Sequence, residues 1–251
     1  FTIIQEKAEF TSTNEVQVGT SKLKAKSFII ATGSVIADYP ILGLKETVFV
    51  TSDDALTMRE APESIIVLGA GAVAVELAQF FLRIGTKVTL LQRSGHILSQ
   101  GDEDLARPLE DRLREEGMDL FTGTKIIKAA KENGCSVIYF EYEGKEKRVE
   151  AETILQALGR RPNIDGLNLP AAGVETNKGR VTVDSEMRTN QKNIFAVGDV
   201  NGIHEVVHIA IQQGETAGFN ACNPEASKEV DDRLKASVVF NDPAVASVGW
   251  S

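Results

Sequence analysis

The stretch Ser64-Ile-Ile-Val-Leu-Gly-Ala-Gly-Ala-Val-Ala-Val-Glu76 decides the fold of this chain. Its apolar run, 65–68, is typical of a strand that is buried on both faces, as the strands of parallel sheets are. The run leads into a Gly-x-Gly-x-x-Ala turn and then into a helix-forming segment, 75–84. A second apolar strand, 87–91, follows after Gly85. Strand, glycine turn, helix and strand together predict a βαβ unit that binds a dinucleotide.

The glycine turn has a physical reason at each of its small residues. Gly69 makes the tight turn, Gly71 lets the backbone approach a pyrophosphate, and Ala74 keeps the helix close to the strand. The N–H groups at the start of the helix favour an anion there. The residues expected to contact the nucleotide here are Gly69, Ala70, Gly71, Ala72, Val73 and Ala74. The alternative interpretation is a glycine-rich turn that holds no ligand.

The residues after the second strand, Gln92 and Arg93, indicate which nucleotide is preferred. In this fold an acid near this place binds the ribose hydroxyls of NAD, whereas an arginine accommodates the 2′-phosphate of NADP. A carboxylate would repel that phosphate, and a guanidinium can hold it with two hydrogen bonds. Because Gln92 stands where the acid would be and Arg93 follows it, the sequence favours NADP(H) over NAD(H). The alternative is a solvated surface arginine beside a neutral ribose contact.

Composition restricts the class of protein. The 251 residues carry a formal net charge of −9, which argues against nucleic-acid or membrane partners because these favour a basic face. No apolar run approaches the roughly 18 residues of a membrane span, and we recognise no signal peptide. Cys135 and Cys222 lie far apart in the sequence, so we expect isolated thiols in a reducing, cytoplasmic compartment and no metal site.

Patterns elsewhere predict further elements around the βαβ unit. Weak alternation over residues 1–32 predicts an antiparallel meander whose last strand, 27–31, is apolar and buried. A charged helix at 103–116 should pack through Leu105, Leu109 and Leu113. Strands are also expected at 118–122, 126–127, 136–140, 147–149, 153–157 and 194–199, with helices at 52–58 and 205–221. A strand at 237–240 has no obvious partner, so we expect the chain to be a piece of a longer one.

Motifs along almost the entire chain carry a family resemblance. They are Ala31-Thr-Gly33, Gly69-x-Gly71 with Glu76, Ala157-Leu-Gly-Arg-Arg-Pro-Asn163, Phe195-Ala-Val-Gly-Asp199 and Val239-Phe-x-x-Pro243 with Ser247-Val-Gly249. In this order and spacing they resemble the flavoprotein disulfide reductases, the family of dihydrolipoamide dehydrogenase, glutathione reductase and mercuric reductase. Some members of this family have an aromatic residue that covers the flavin at the position of Ala72. The absence of that aromatic residue here resembles the mercuric reductases and dihydrolipoamide dehydrogenases.

The resemblance implies an α/β fold, with a Rossmann-like nicotinamide-binding domain inserted in a partial FAD-binding domain that carries the β meander. The implied FAD-binding parts are 1–40 and 161–230, the NAD(P)-binding domain is 41–160, and 231–251 would begin the dimerisation domain. The implied FAD contacts are Thr32, Gly33, Ser34, Asp199, Val206, Val207 and His208. Besides the glycine turn, the implied nicotinamide-nucleotide contacts are Glu76, Gln92, Arg93, Ile126 and Gly159. Glu76 also resembles a glutamate beside the flavin ring; the alternative is a first-turn acid that favours the helix dipole.

The implied function is an NAD(P)H-dependent FAD oxidoreductase, passing a hydride from nicotinamide to flavin and then electrons to a disulfide or metal-thiolate acceptor. The family's first glycine motif, its CxxxxC redox pair and its His-Glu pair do not occur in this sequence. We therefore expect the central part of a homodimeric enzyme, with no catalytic residue, activity or tight FAD binding of its own. The alternatives are a same-fold NAD(P)H oxidase, a ferredoxin- or quinone-reductase-like enzyme, and a non-catalytic nucleotide-binding module.

Overall fold

The computed structural model describes residues 1–231 and 236–249. These residues form two compact units, each with its own hydrophobic core. The first unit contains residues 1–36 and 160–231, and the second contains 37–159 and 236–249. The chain thus leaves the first unit after Ile36 and returns to it at Arg160.

The elements are numbered along the chain. The strands are β1 (Ala8–Ser12), β2 (Glu15–Val18), β3 (Ser21–Lys24), β4 (Phe28–Ile30), β5 (Ser34–Ile36), β6 (Phe49–Thr51), β7 (Ser64–Leu68), β8 (Lys87–Leu91), β9 (Asp119–Phe121), β10 (Lys125–Glu132), β11 (Cys135–Tyr142), β12 (Lys145–Ala151), β13 (Thr153–Gln156), β14 (Arg160–Pro162), β15 (Thr176–Asn177), β16 (Arg180–Val181), β17 (Ile194–Ala196), β18 (Ala236–Val239) and β19 (Val245–Val248). The α-helices are α1 (Ser52–Ala55), α2 (Ala72–Arg83), α3 (Glu103–Glu115) and α4 (Val207–Cys222). Short 3₁₀ turns lie at Leu44–Glu46, Leu169–Ala172 and Gly198–Asn201.

The second unit is a three-layer α/β structure, which confirms the predicted fold class. Its central sheet is parallel, in the strand order β6-β13-β7-β8-β9. Ile65 and Val67 of β7 belong to the core cluster that contains the buried residues of α2 and α3. Ile66 and Leu68 belong instead to the cluster formed with the antiparallel sheet β10-β11-β12. Both faces of β7 are therefore covered, which is why its apolar run does not alternate.

The first unit contains the predicted meander. Strands β1, β2 and β3 pair antiparallel in sequence order, while the apolar residues 1–4 lie outside them in irregular structure. Strand β4 pairs in parallel with β17, and β5 pairs antiparallel with β14. The expectation that 27–31 is buried throughout is wrong, because Ile29 is 43% exposed. Within the described residues β4 pairs with β17 alone, and only Ile30 of its three residues is fully buried.

Helix α3 forms where the sequence predicts it, but its packing face is different. Leu105 is 40% exposed, while Ala106, Leu109 and Leu113 are fully buried. Residues at a constant spacing of four drift by about 40° per step around a helix of 3.6 residues per turn. The small Ala106 therefore occupies the buried position that was assigned to Leu105. Helix α1 is also shorter than the predicted 52–58, a single turn closed by a capping box between Thr51 and Asp54.

The predicted strand at 237–240 does have a partner. It is β18, which pairs antiparallel with β19 in a two-stranded hairpin. The expectation of an unpaired strand is therefore wrong, because residues 245–248 supply the second strand that the pattern did not reveal. Most hairpin side chains are exposed, but the residues between the two strands lie against α2.

Candidate functional site

The glycine turn after β7 has the backbone geometry that the sequence predicts. Gly69 has a φ of +100°, a backbone conformation that residues with a side chain rarely adopt. A Cβ at this position would also collide with the carbonyl oxygen of Ala157. The Gly69 N–H donates to the Leu91 carbonyl over 3.0 Å. Gly69 thus lets the turn fit between the ends of β8 and β13. The fully buried Ala74 joins the same core as β7, as expected of the small residue that lets helix and strand approach.

The N-terminus of α2 is open to an anion. Gly71 is its N-cap, no side chain caps it, and its first turn contains no acid. The first helical hydrogen bond runs from Val75 N to Gly71 O over 3.0 Å, so the N–H groups of residues 72–74 precede it. A Cβ on Gly71 would meet nothing within 4 Å, which leaves room for a ligand to approach the backbone. Free N–H groups, the helix dipole and open space together fit a pyrophosphate.

Gln92, directly after β8, is buried and anchors the next loop through its backbone. Its N–H donates to the Phe121 carbonyl over 2.8 Å, and its carbonyl accepts from both N and Oγ1 of Thr124, each over 2.9 Å. Its side chain is used within the loop, because Oε1 accepts the Arg93 N–H over 3.0 Å and Nε2 donates to His96 O over 3.4 Å. Gln92 therefore sets the position of Arg93.

Arg93 is exposed, and no carboxylate of the described residues lies within ion-pair distance of it. The loop that carries it is held to the glycine turn, because Leu98 N donates to Ala70 O over 2.8 Å. A buried acid, Glu110 of α3, holds the same loop by accepting the Ile97 N–H over 2.8 Å. The sequence pattern predicted packing through the leucines of this helix and not through Glu110. Its spacing of four to Arg114 indicates the ion pair they form but not the burial.

Gly159 and Ile126 lie near the same edge of the parallel sheet. Gly159 follows β13, is exposed, and has a φ of +124°. Ile126 is half-buried at the start of β10, just after the Thr124 that bonds to Gln92. The structure therefore brings together, at the carboxyl ends of the parallel strands, the glycine turn, the Gln92–Arg93 loop, Gly159 and Ile126. This is the edge where open α/β sheets bind ligands.

Glu76 is directed elsewhere. It is the fifth residue of α2, so it lies beyond the first turn, and the first-turn interpretation is wrong. Its Oε1 accepts the Phe240 N–H over 2.8 Å. On the same flank, Gln79 accepts from Asp242 N and donates to Asp242 O, each over 2.9 Å. This flank of α2 therefore holds the segment between β18 and β19, and a role for Glu76 beside a flavin stays a prediction.

In the first unit, Ser34, Asp199 and Arg160 form a hydrogen-bonded cluster. Ser34 Oγ donates to Asp199 Oδ2 over 2.7 Å and accepts from Arg160 Nε over 2.8 Å. Arg160 also donates from Nη2 to the Ser34 carbonyl over 3.0 Å. Arg160 was not among the expected site residues, although it belongs to one of the motifs that carry the family resemblance. The structure brings it to Ser34 through the pairing of β14 with β5.

Thr32 and Gly33 are held next to this cluster by Asn163. Thr32 Oγ1 donates to Asn163 O over 2.6 Å, and Asn163 N donates to Gly33 O over 2.9 Å. Gly33 has a φ of +67° and open space around its Cα. These contacts fix the strand end as a small, polar surface that a ligand can approach.

The N-terminus of α4 is a second open helix end. Val206 is its N-cap, with no capping side chain and no acid in the first turn, and Val207 is 76% exposed. The N–H groups of 207–209, including that of His208, precede the first helical bond from Ala210 N to Val206 O. Just before it, the pKa of Glu205 is raised by burial and by the nearby Asp199 carboxylate, against the opposing effect of Arg160 and Arg180. A Cβ on Gly198, the residue before Asp199, would lie 3.4 Å from the Ala210 Cβ, so Asp199 is close to the first turn of α4.

Residues 1–231 and 236–249 contain neither the side-chain groupings of metal sites nor the helices of membrane spans. Within these ranges, no group of three or more His, Cys, Asp or Glu side chains could hold a metal ion. Cys135 is half-buried and Cys222 is exposed, and both thiols are free. A helix long and apolar enough to cross a bilayer is also not found in this part of the chain.

A family model described as pyridine nucleotide-disulphide oxidoreductase matches residues 1–214. The chain belongs to this family. It is 36% identical over 250 residues to the mercuric reductase of Staphylococcus aureus, covering 99% of this chain and 46% of that protein. It is also 36% identical to the dihydrolipoyl dehydrogenase of Geobacillus stearothermophilus, covering 99% of this chain and 53% of that protein.

The same family appears among solved structures. The copper(II) complex of the HOCl-induced flavoprotein disulfide reductase RclA from Escherichia coli matches with a TM-score of 0.89 and 27% identity, covering 99% of this chain and 57% of RclA. The chain thus spans about half the length of the relatives it matches. These findings confirm the resemblance inferred from the motifs, and the family implies a nicotinamide nucleotide and FAD as cofactors.

Proposed function

We propose that this chain is the nucleotide-binding central part of an NADP(H)-preferring FAD oxidoreductase of the disulfide reductase type. The observation that carries the proposal is the uncapped N-terminus of α2, together with the preceding turn, which requires glycine at position 69. It lies beside an exposed arginine without a carboxylate partner in the described residues, in a chain that belongs to the family.

The second unit would bind the nicotinamide nucleotide, and its residues divide the work. The N–H groups of residues 72–74 bind the pyrophosphate, and the open space at Gly71 lets it approach. Gln92 brings no carboxylate to the ribose and positions Arg93, which holds the 2′-phosphate with its planar donors. Gly159 leaves the carboxyl end of β13 open for the rest of the nucleotide. When bound, the nucleotide would supply the hydride-donor chemistry that a flavin would accept in the complete enzyme.

The first unit would contribute to the FAD site. The Asp199 carboxylate accepts from Ser34 Oγ, which Arg160 Nε holds in turn, and it is suited to accept further hydrogen bonds from the hydroxyls of a sugar or ribityl chain. The free N–H groups at the start of α4 can stabilise negative charge on a bound ring system. The residues present thus fit part of an FAD site, with Thr32 and Gly33 giving the close backbone approach.

The complete enzyme would reduce a disulfide or a metal-thiolate. The mercuric reductases and dihydrolipoyl dehydrogenases among the relatives support these two acceptor classes. We further propose a cytoplasmic homodimer in which residues 231–251 begin the dimerisation domain. Of that segment the structure describes residues 231 and 236–249, and the latter form the β18–β19 hairpin attached to α2.

Equilibrium titrations with NADPH and NADH test the nucleotide assignment. Arg93→Glu should weaken NADPH binding about ten- to hundredfold, the range expected for a lost charge-assisted hydrogen bond, and leave NADH binding unchanged. Arg59→Glu is the matched control, since Arg59 is also exposed and has no ion pair with the described residues. Equal losses of NADPH and NADH affinity in Arg93→Glu would contradict the 2′-phosphate assignment.

A visible absorption spectrum with an intact mass tests the flavoprotein assignment. Flavin bands in a protein well above the 27.2 kDa of this chain would support the complete-enzyme proposal. A complete protein that is colourless and does not take up FAD would contradict it.

A further inference from the structure

Lys147 of β12 lies over two aromatic rings at the border of the second unit's core. Its Nζ is 5.1 Å from the ring centroid of Phe121 and 4.6 Å from that of Tyr142. The two rings pack edge-to-face, with centroids 5.3 Å apart. Phe121 also packs edge-to-face on the buried Phe140, at 5.5 Å. The ammonium group is therefore held in one place by cation–π attraction to two rings.

The register of the antiparallel sheet shows which way Lys147 points. Lys147 pairs with Phe140, and Val149 pairs with Ile138. Directly paired residues of antiparallel strands lie on the same face of the sheet. Phe140 and Ile138 are fully buried against the parallel sheet. Lys147 thus occupies the inward face of β12 at the border of the core, where the residue remains exposed.

This position lies at the carboxyl edge of the parallel sheet, next to the Gln92–Arg93 loop. Phe121 is the last residue of β9, and its carbonyl accepts the Gln92 N–H over 2.8 Å. The start of β10 is tied to the same place, because Thr124 bonds twice to the Gln92 carbonyl. Tyr142 and Lys147 lie at the end of β11 and the start of β12, beside the start of β10. One hydrogen bond therefore separates the ring beneath Lys147 from the residue before Arg93.

Lys147 and Arg93 lack the ion-pair partner that most arginines of the second unit have, a property they share, among the described residues, with Lys87, Lys125, Lys128, Lys131 and Lys145. Carboxylates pair with Arg83, Arg107, Arg112, Arg114 and Arg148. Among the described residues no carboxylate lies within ion-pair distance of Lys147 or Arg93. In a chain with a net charge of −9, two uncompensated cations at one edge form a local positive site. A doubly charged phosphate is the ligand that such a pair binds best.

We propose that Lys147 is a specificity-determining residue, whose ammonium group acts with the Arg93 guanidinium to hold the 2′-phosphate of NADP(H). The inference rests on the proposed nucleotide site. Phe121 and Tyr142 position the ammonium group, and the phosphate supplies the counter-charge that the protein does not.

Adenosine 2′,5′-bisphosphate and AMP are the probes for this proposal, because they differ by the 2′-phosphate alone. Isothermal titration of the 251-residue chain should show preference for the bisphosphate. Lys147→Gln should weaken binding of the bisphosphate about tenfold and leave the affinity for AMP unchanged. A loss of about tenfold is the low end of the range for losing a hydrogen bond to a charged group. The same substitution should also lessen the salt dependence of bisphosphate binding. Lys147→Arg, which keeps the charge and the stacking, should retain the affinity and shows that loss in Lys147→Gln is not misfolding.

Lys128→Gln is the matched control. Lys128 lies 4.7 Å from the ring centroid of Tyr139, and Tyr139 alternates with the inward-facing Ile138 and Phe140 of β11. The control thus removes a cation–π lysine from the opposite face of the same sheet, and both affinities should stay unchanged.

Three results would overturn the inference, and they identify which part fails. If Lys147→Gln binds the bisphosphate as tightly as wild type while Arg93→Glu does not, Lys147 only covers the rings. If wild type binds AMP and the bisphosphate equally, Lys147 is not a 2′-phosphate residue, although the nucleotide site stands. If wild type binds neither probe, the proposed function fails along with the inference.

Discussion

Gly69 and Gly71 stand in one turn, yet an added methyl group should affect them differently. Gly69 has a φ of +100°, and a Cβ there would collide with the Ala157 carbonyl oxygen. Left-handed backbone costs an L-residue about 1–2 kcal/mol, and forcing a carbon into packed structure costs about 1–3 kcal/mol. We therefore expect Gly69→Ala to lower the free energy of unfolding of the second unit by about 2–5 kcal/mol.

Gly71→Ala should instead change binding and leave stability nearly unaltered. Gly71 has a φ of −73°, and its Cβ would meet nothing within 4 Å. Alanine stabilises by about 0.4–1 kcal/mol through the unfolded chain, and its weakness as an N-cap offsets a similar amount. The methyl group would occupy the space through which the phosphate approaches. If the methyl group displaces the phosphate from one charge-assisted hydrogen bond, the affinity for NADPH should fall about ten- to hundredfold.

Two measurements separate these effects. Hydrogen–deuterium exchange of the β7 and β8 amides in urea reports the stability of the second unit, and NADPH fluorescence titration gives the Kd. Gly101→Ala is the control, because its Cβ would make an ordinary 3.7 Å contact with Leu98 O, so neither quantity should change. The reasoning is refuted if Gly69→Ala is as stable as wild type, or if Gly71→Ala binds NADPH as tightly.

Two carboxylates should give stability opposite dependences on pH. Burial and the nearby Asp199 raise the pKa of Glu205 in the folded protein. The contribution of Glu205 to stability is therefore complete below the ordinary glutamate pKa and is lost as the pH rises through the raised value. Glu205→Gln should therefore raise the Tm at neutral pH and not in acid; a lower Tm at neutral pH would contradict this. The hydrogen bond from Arg83 lowers the pKa of Glu116, so stability present above the ordinary pKa is lost as pH falls through the lowered value. Glu116→Gln should reduce the fall in Tm on acidification, and an unchanged fall would exclude this account.

The βαβ unit could be predicted because its determinants are local. The apolar run of β7, the glycine turn and the helix-forming residues are contiguous, and each agrees with the same fold. The face of α3 was misassigned because a spacing of four looks helical, while the burial of Ala106 in place of Leu105 depends on the tertiary arrangement. Periodicity identifies a helix more reliably than it identifies which small residue faces the core.

The contacts that arrange the candidate sites could not be predicted in the same way. Arg160 reaches Ser34 across 126 residues, and Glu76 reaches Phe240 across 164. No local pattern encodes such pairs, because each depends on strand pairing or on a segment folding back onto a helix. Glu110 shows the same limit at shorter range, since its burial depends on the loop that carries Ile97.

Helix α2 limits how this protein could be recombined with its relatives. Its sheet side packs on β7, while Glu76, Gln79 and Arg83 on its outer flank bind the segment at 240–242. A chimera that took the helix from one parent and the C-terminal hairpin from another would mismatch these side-chain hydrogen bonds. The buried Asn241 amide would keep the backbone acceptor Val75 O but would lose Gln79 Oε1 wherever the other parent lacks that glutamine. Such a chimera could lose stability even though both parents fold. To transfer cofactor preference between relatives, α2 and residues 236–249 should therefore be taken from the same parent.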